Sequence, residues 1–318
     1  KLKMKIFNYK LNLNYLGFLF SLSSFAVISQ PVFAFPIYAQ QAYANPREAN
    51  GRIACANCHL AQKPVEIETP QAVLPNSIFE AVVKIPYDLS SKQVVGSGAK
   101  GPLNVGAVVI LPEGFKLAPP NKLTPEIKEK NKGVYISPYS STAENILVVG
   151  PIAGDKHQEI IFPVISPDPA TNKEVNFLKY PIYVGANRGR GQVNPTGEKT
   201  NNNIILASVS GQVTNIVAKE TGNSELTIKT NEGNTVTQTI PKGLDIVVTN
   251  GKFINIDQPL TKDPNVGGFG QTETEIVLQS PSRIYGYIAL CLAITLTQIF
   301  LVIKKKQFEK VQAAEMNF

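Results

Sequence analysis

Val105-Gly106-Ala107-Val108-Val109-Ile110-Leu111 is a run of seven residues without a charge, and four of the seven are β-branched. Branched side chains crowd the preceding turn of a helix but pack well on a pleated surface, so the run is predicted to be a strand. Its neighbours have the same character. Ala81-Val82-Val83-Lys84-Ile85, residues 146–149 and residues 159–164 are short, rich in β-branched residues, and separated by Pro, Gly and Asn turns. Helical periodicity is weak between them, and no repeat of solenoid type is present. The expected fold is mainly β.

Further along, the texture changes. Residues 203–260 are rich in Asn, Thr and Gly with alternating apolar positions, as in Glu225-Leu226-Thr227-Ile228-Lys229-Thr230, and hairpin signals recur at Gly222-Asn223, Gly233-Asn234 and Asn250-Gly251. This segment is expected to be a small β domain inserted in a larger one, because residues 263–279 return to a Gly-rich and then apolar run. Two short helices are expected near the other end. Asn45-Pro46-Arg47-Glu48 offers a cap, a proline at the first helical position and a glutamate three after the cap, with Gly51 as the stop. A second is expected over residues 53–62, ending before Pro64.

The chain has 318 residues, 43% hydrophobic, with a net charge of +7, which excludes a disordered chain. Position matters more than total. Lys1, Lys3, Lys5 and Lys10 carry four of the charges, and residues 304–318 carry a net two, so only +1 is left for everything between. Nucleic-acid binding through a strongly basic domain loses its support. Residues 1–34, with an apolar core at 16–28 and the ending Val32-Phe33-Ala34, are expected to be a cleaved export signal. A retained first membrane helix is the alternative, but the core is shorter than the ~20 residues a bilayer needs, and Gln30-Pro31 interrupts it. Residues 284–303 are twenty residues without a charge, the length of one membrane span. Arg283, Tyr285 and Tyr287 suit one interface, and Lys304, Lys305 and Lys306 the other by the positive-inside rule, which leaves residues 304–318 on the cytoplasm-like side.

Cys55-Ala56-Asn57-Cys58-His59 is the one strong chemical signal. Two thiols three residues apart can add to the two vinyl groups of one haem while the adjacent histidine reaches the iron, which is the c-type attachment pattern. A zinc site would need further ligands, and the exported region otherwise holds no cysteine and only His157. A disulfide or redox dithiol gives no reason for His59 to follow directly. The sixth iron position stays open at this level. Met4 and Met316 are excluded by place, His157 sits in a polar stretch, and cleavage after Ala34 would create an α-amine at Phe35 that loses its proton more readily than a lysine. An empty sixth position would instead mean ligand binding or catalysis.

Several longer runs resemble one family. Phe35-Pro36-Ile37-Tyr38-Ala39-Gln40-Gln41, followed by YANPREANGRIACANCHLAQKPVEIETPQAVLP, PIYVGANRGRGQV (181–193), PNVGGFGQTETEIVLQ (264–279) and KKKQFEKVQAAEMNF (304–318), closely resemble the cytochrome f family of the photosynthetic cytochrome b6-f complex. The resemblance implies a large β-sandwich haem domain over residues 35–202 and 261–283, a small β domain over 203–260, a transmembrane helix at 284–303 and a stromal or cytoplasmic tail at 304–318. It implies one covalently bound haem c (iron), with thioethers at Cys55 and Cys58 and axial ligands from His59 and the Phe35 α-amine. Relatives often have tyrosine at that first position, and the ligand survives the change because the backbone amine binds. Asn187 and Gln192 would bound an internal water chain. Lys92 and Lys100 would dock the soluble carrier, with Ala99 standing where many relatives add a lysine.

Also implied is an electron carrier, with no bond chemistry of its own, in a thylakoid membrane. It would pass electrons from the Rieske iron-sulfur protein to plastocyanin or a soluble c-type cytochrome, assembled with cytochrome b and small subunits. The rival reading is a membrane-anchored haem enzyme or ligand sensor with an exchangeable sixth site.

Overall fold

The computed structural model describes residues 37–316. The expected signal at 1–34 and the proposed ligand Phe35 lie outside the described residues.

The strand around Val108 is central to the fold. Asn104–Ile110 lies between Lys179–Arg188 and Ile146–Ala153, and five of its seven residues are buried. Both faces are covered, so it reads as a continuous apolar run instead of an alternating one. Val105, Ala107 and Val109 point into the main core, whereas Val108 joins a second cluster on the opposite face with Ile53, Tyr139 and Phe269.

Two sheets enclose the main core. One has the order Glu66–Glu68, Ile78–Lys84, Glu159–Ile165, Lys116–Leu117. The other has six strands, in the order Ala72–Val73, Gly268–Leu278, Lys179–Arg188, Asn104–Ile110, Ile146–Ala153, Ile136–Pro138. Their pairings are antiparallel except between Ala72–Val73 and Gly268–Leu278. In Ile78–Lys84 every second residue is buried, so Phe79, Ala81 and Val83 meet Val109, Ile182 and Val184 across a β-sandwich. Each such large aliphatic side chain contributes about 1.5–3 kcal/mol by leaving water.

A third sheet has the order Thr235–Ile240, Ser224–Lys229, Gly211–Ala218, Phe253–Ile254. Its own apolar cluster includes Val213, Leu226, Ile228 and Ile254. The hairpin signals fall at its turns: Lys219 N donates to Asn223 O and Thr230 N to Asn234 O, both at 2.8 Å, with Gly222 and Gly233 at positive φ.

The helix expected after Asn45 does not form. The Asn45 side chain accepts a hydrogen bond from Arg47 N, two residues on, at 3.0 Å, and Arg47 pairs with Ile53 as a β-bridge around a turn at Gly51. Asparagine offered the backbone a turn here in place of a cap. The helix lies earlier, at Ile37–Ala42. The second expected helix shrinks to a single 3-10 turn at Ala54–Asn57, because the following residues are drawn out along the large sheet.

At the other end, Pro281–Glu315 forms one helix of 35 residues. Ser280 Oγ caps it by accepting from Arg283 N at 3.4 Å, with proline at the first position. It is long and apolar enough to cross a membrane. The helix is longer than the apolar run, since 304–315 continue it with lysine and glutamate on exposed turns. Thr295 and Thr297 donate to the carbonyls of Cys291 and Ala293 at 2.8 Å, so their hydroxyls are satisfied within the helix.

Candidate functional site

The Cys-x-x-Cys-His segment is pinned from three sides. From the front, Ile53 N donates to Gln271 Oε1 at 2.9 Å, and the same amide donates through Nε2 to Gly51 O at 3.0 Å. Next, Cys58 N and His59 N both donate to Cys55 O, at 3.2 and 3.0 Å, which coils the two thiols and the imidazole onto one turn. After the turn, the chain zips to the strand Gly268–Leu278: Phe269 N donates to Ala61 O and Lys63 N to Phe269 O, both at 2.8 Å. This explains the glycines of the run at 264–279. A Cβ at Gly268 would strike Ala61 O, and one at Gly270 would strike Lys63 O.

The third side is the segment after Lys179–Arg188. Gln192 N donates to Cys58 O at 2.7 Å, and its side-chain Oε1 accepts from Leu60 N at 3.0 Å. A Cβ at Gly191 would lie 2.9 Å from Cys58 O, so only glycine allows this approach.

The amino-terminal helix Ile37–Ala42 adjoins the same turn. Six residues are too few for a stable helix in water, and none of these is fully buried. It is held instead by side chains reaching across the fold. The Tyr139 hydroxyl donates to Ala39 O and Tyr43 O, each at 2.6 Å, and Gln40 Nε2 donates to Tyr139 O at 2.7 Å. Asn57, between the two cysteines, donates from Nδ2 to the Tyr43 hydroxyl at 2.9 Å.

Beside the turn lies a cavity of about 680 Å³, within the usual range for cofactor sites. Arg52, Ala56, His59, Lys63, Phe269 and Gln271 contribute to its wall. Burial lowers the His59 pKa to about 4, so the imidazole is neutral near pH 7, the form that binds iron. Its Nδ1 is buried without a hydrogen-bond partner among the described residues. Burial raises the Cys55 thiol to about 11 and shifts Cys58 upward too. Thiols held in the protonated form are poorly placed for disulfide exchange, which needs the thiolate. Both are free in the structure, and among the described residues no three His, Cys, Asp or Glu converge as a metal site, which leaves zinc without its ligands. From the motif, His59 and Ala56 reach the cavity wall while Cys55 and Cys58 do not; a buried imidazole at the wall with two thiols on its own turn fits a haem.

Other residues singled out from the sequence are placed as follows. Gln192 is buried against the turn, whereas Asn187 makes no side-chain hydrogen bond to it among the described residues and faces Gly106 on the neighbouring strand. Lys92 and Lys100 are exposed on one small hairpin, Gln93–Val94 with Lys100–Gly101, and Lys100 lies 3.8 Å from Asp245. His157 sits in the turn between Ile146–Ala153 and Glu159–Ile165, away from the cavity wall.

Sequence reasoning missed Tyr139, Gln271 and Arg188. The first two act through backbone contacts more than ninety residues away, for which no local signal exists. Arg188 is fully buried, donates through Nη2 to Pro64 O on the chain leaving the haem turn, and has no partner at Nε or Nη1 among the described residues. Strand alternation placed it inward, and that signal was readable.

A mainly β protein with one membrane-length helix among the described residues, offering a Cys-x-x-Cys-His turn to a cavity, has the layout of a membrane-anchored c-type cytochrome. Residues 35–189 match the family described as apocytochrome F, N-terminal, and residues 201–318 match apocytochrome F, C-terminal. Over 268 residues, 84% of both chains, the sequence is 66% identical to cytochrome f of Porphyra purpurea. Over the same length and shares it is 64% identical to cytochrome f of Cyanophora paradoxa. Cytochrome f of Physcomitrium patens is 60% identical over that length, again with 84% of each chain covered. The chain belongs to the cytochrome f family. Its role is that of the cytochrome f subunit of the b6-f complex, a cytochrome that carries electrons, and the family implies a c-type haem.

Proposed function

We propose that the chain binds one haem c covalently and passes electrons from the Rieske iron-sulfur protein of the complex to a soluble carrier, plastocyanin or a soluble c-type cytochrome. The observation that carries this reading is His59, an imidazole kept neutral by burial, one residue beyond two thiols on a single turn at the cavity wall. The haem supplies reversible one-electron chemistry at its iron. Cys55 and Cys58 would hold the haem through thioethers, each adding S–H across one vinyl double bond with no oxidant needed. His59 would bind the iron through its imidazole. The Phe35 α-amine, freed by cleavage after Ala34, would supply the other protein ligand.

Filled axial positions suit electron transfer, since an iron that keeps its ligands reorganises little, whereas ligand sensing and peroxidase work need a vacancy. Asn187 and Gln192 bound an internal water path leading from the haem, and His59 Nδ1, buried without a partner among the described residues, supports a polar group at its inner end. Residues 203–260 act as a small domain inserted between 35–202 and 261–283, with 284–303 as the anchor. The haem domain faces the thylakoid lumen, the tail at 304–318 faces the stroma, or the cytoplasm in a cyanobacterial setting, and Lys92 and Lys100 meet the carrier.

A carbon monoxide titration of the reduced protein tests the assignment. No binding at neutral pH is expected. Ready binding would favour an enzyme or sensor with an exchangeable site.

A further inference from the structure

We infer that Tyr139 is a positioning residue for the sixth iron ligand, holding the amino-terminal helix against the haem turn so that the chain's first residues reach the iron; this rests on the amine-ligand reading above. Phe35 precedes the helix Ile37–Ala42 by two residues, and two residues span at most about 7 Å. Where the helix sits therefore decides where the amine can go.

The helix has little of its own to hold it. It is one and a half turns long with no fully buried residue. Tyr139, only 4% exposed, meets one carbonyl within the helix and one just beyond it: its single hydroxyl hydrogen is shared between Ala39 O and Tyr43 O, each 2.6 Å away. Its own backbone carbonyl takes the Gln40 amide at 2.7 Å, so the contact is reciprocal. Tyr139 belongs to the same apolar cluster as Ile53, Cys55, Ala56 and Ala39, which joins the helix to the haem turn. The Tyr43–Asn57 bond makes a second tie between the two. Ala39 O would keep Tyr43 N as a donor, at 2.9 Å, but Tyr43 O would lose the hydroxyl and the tie across to Tyr139 would go with it, so removing the hydroxyl favours release of the helix.

Full-length holoprotein carrying Tyr139→Phe is the test, read by carbon monoxide binding to the reduced haem and by the ferric spectrum, well below the melting temperature. The parental protein is measured first. If it already binds carbon monoxide, the amine-ligand reading fails, and this inference fails with it. If it does not, Tyr139→Phe is expected to raise the carbon-monoxide-binding fraction by roughly tenfold, the equivalent of one buried hydrogen bond, and to add a second ferric species. A purely structural tyrosine would lower the melting temperature and leave both readouts unchanged. That result overturns the inference while the amine reading stands. Should Tyr139→Phe fail to accumulate holoprotein, Gln40→Ala decides. It removes only the reciprocal bond, so a smaller rise supports the inference and no rise overturns it.

Discussion

The side-chain amide of Gln271 bonds both the N–H of Ile53 and the carbonyl of Gly51, fastening the turn that precedes Cys55 to a strand more than two hundred residues away. The haem turn is thus an extension of the large sheet, positioned by the sandwich core beneath it.

Replacing Gln271 with Leu should therefore loosen the turn. Ile53 is 1% exposed, so its N–H would lose its partner without gaining water, at a cost of about 1–3 kcal/mol. Denaturant unfolding of the holoprotein measures it. A variant as stable as the parent would show that the turn is held from elsewhere.

Overpacking at Gly185 tests the same link from beneath. A Cβ there would lie 2.7 Å from the Phe269 ring and 2.9 Å from Ile53 Cδ1, between sheet and turn. Gly185→Ala is expected to destabilise by about 1–3 kcal/mol, with a perturbed haem spectrum. Gly197→Ala, where a Cβ meets nothing, is the control for added bulk without a clash, although its positive φ adds some backbone strain.

Alkaline stability should depend on Tyr139. Burial, with smaller contributions from Cys55 and Tyr43, pushes its pKa up to about 12 from 10.0. As pH rises from 10 toward 12 the unfolded tyrosine loses its proton while the folded one keeps it, so stability falls with pH in that window. Cys55 does not contribute once it is a thioether. Melting curves between pH 9 and about 12 are expected to show a shallower decline in Tyr139→Phe than in the parent.

The two lysines proposed to meet the carrier are not equivalent. Lys100 already lies 3.8 Å from Asp245, which offsets part of its field, while no acid lies within ion-pair distance of Lys92 among the described residues. Neutralising Lys92 should slow association with an acidic carrier more than neutralising Lys100. Both effects should fade as salt shortens the Debye length below about 8 Å. Stopped-flow rates against ionic strength give the comparison, and equal effects would contradict it.

Much of this architecture was legible from residue patterns. The run at 105–111 announced a strand, and its lack of alternation already reflected burial on both faces. The hairpin glycines at 222 and 233 fell at real turns because positive φ is a local demand. The Cys-x-x-Cys-His spacing likewise encodes its geometry within one turn. What stayed hidden was long-range. Asn45 could cap a helix or close a turn on Arg47, and only the bridge from Arg47 to Ile53 decides between them. Tyr139 and Gln271 look like ordinary loop and strand residues until the fold sets them against Ala39 and Ile53.

The measurement that bears most directly on the central claim is mass spectrometry of the mature protein, intact and after digestion. The account predicts a chain beginning at Phe35 with a free α-amine, carrying one haem on the peptide that contains Cys55 and Cys58. A mature chain that keeps residues ahead of Phe35, or a Cys55–Cys58 peptide without haem, would contradict it.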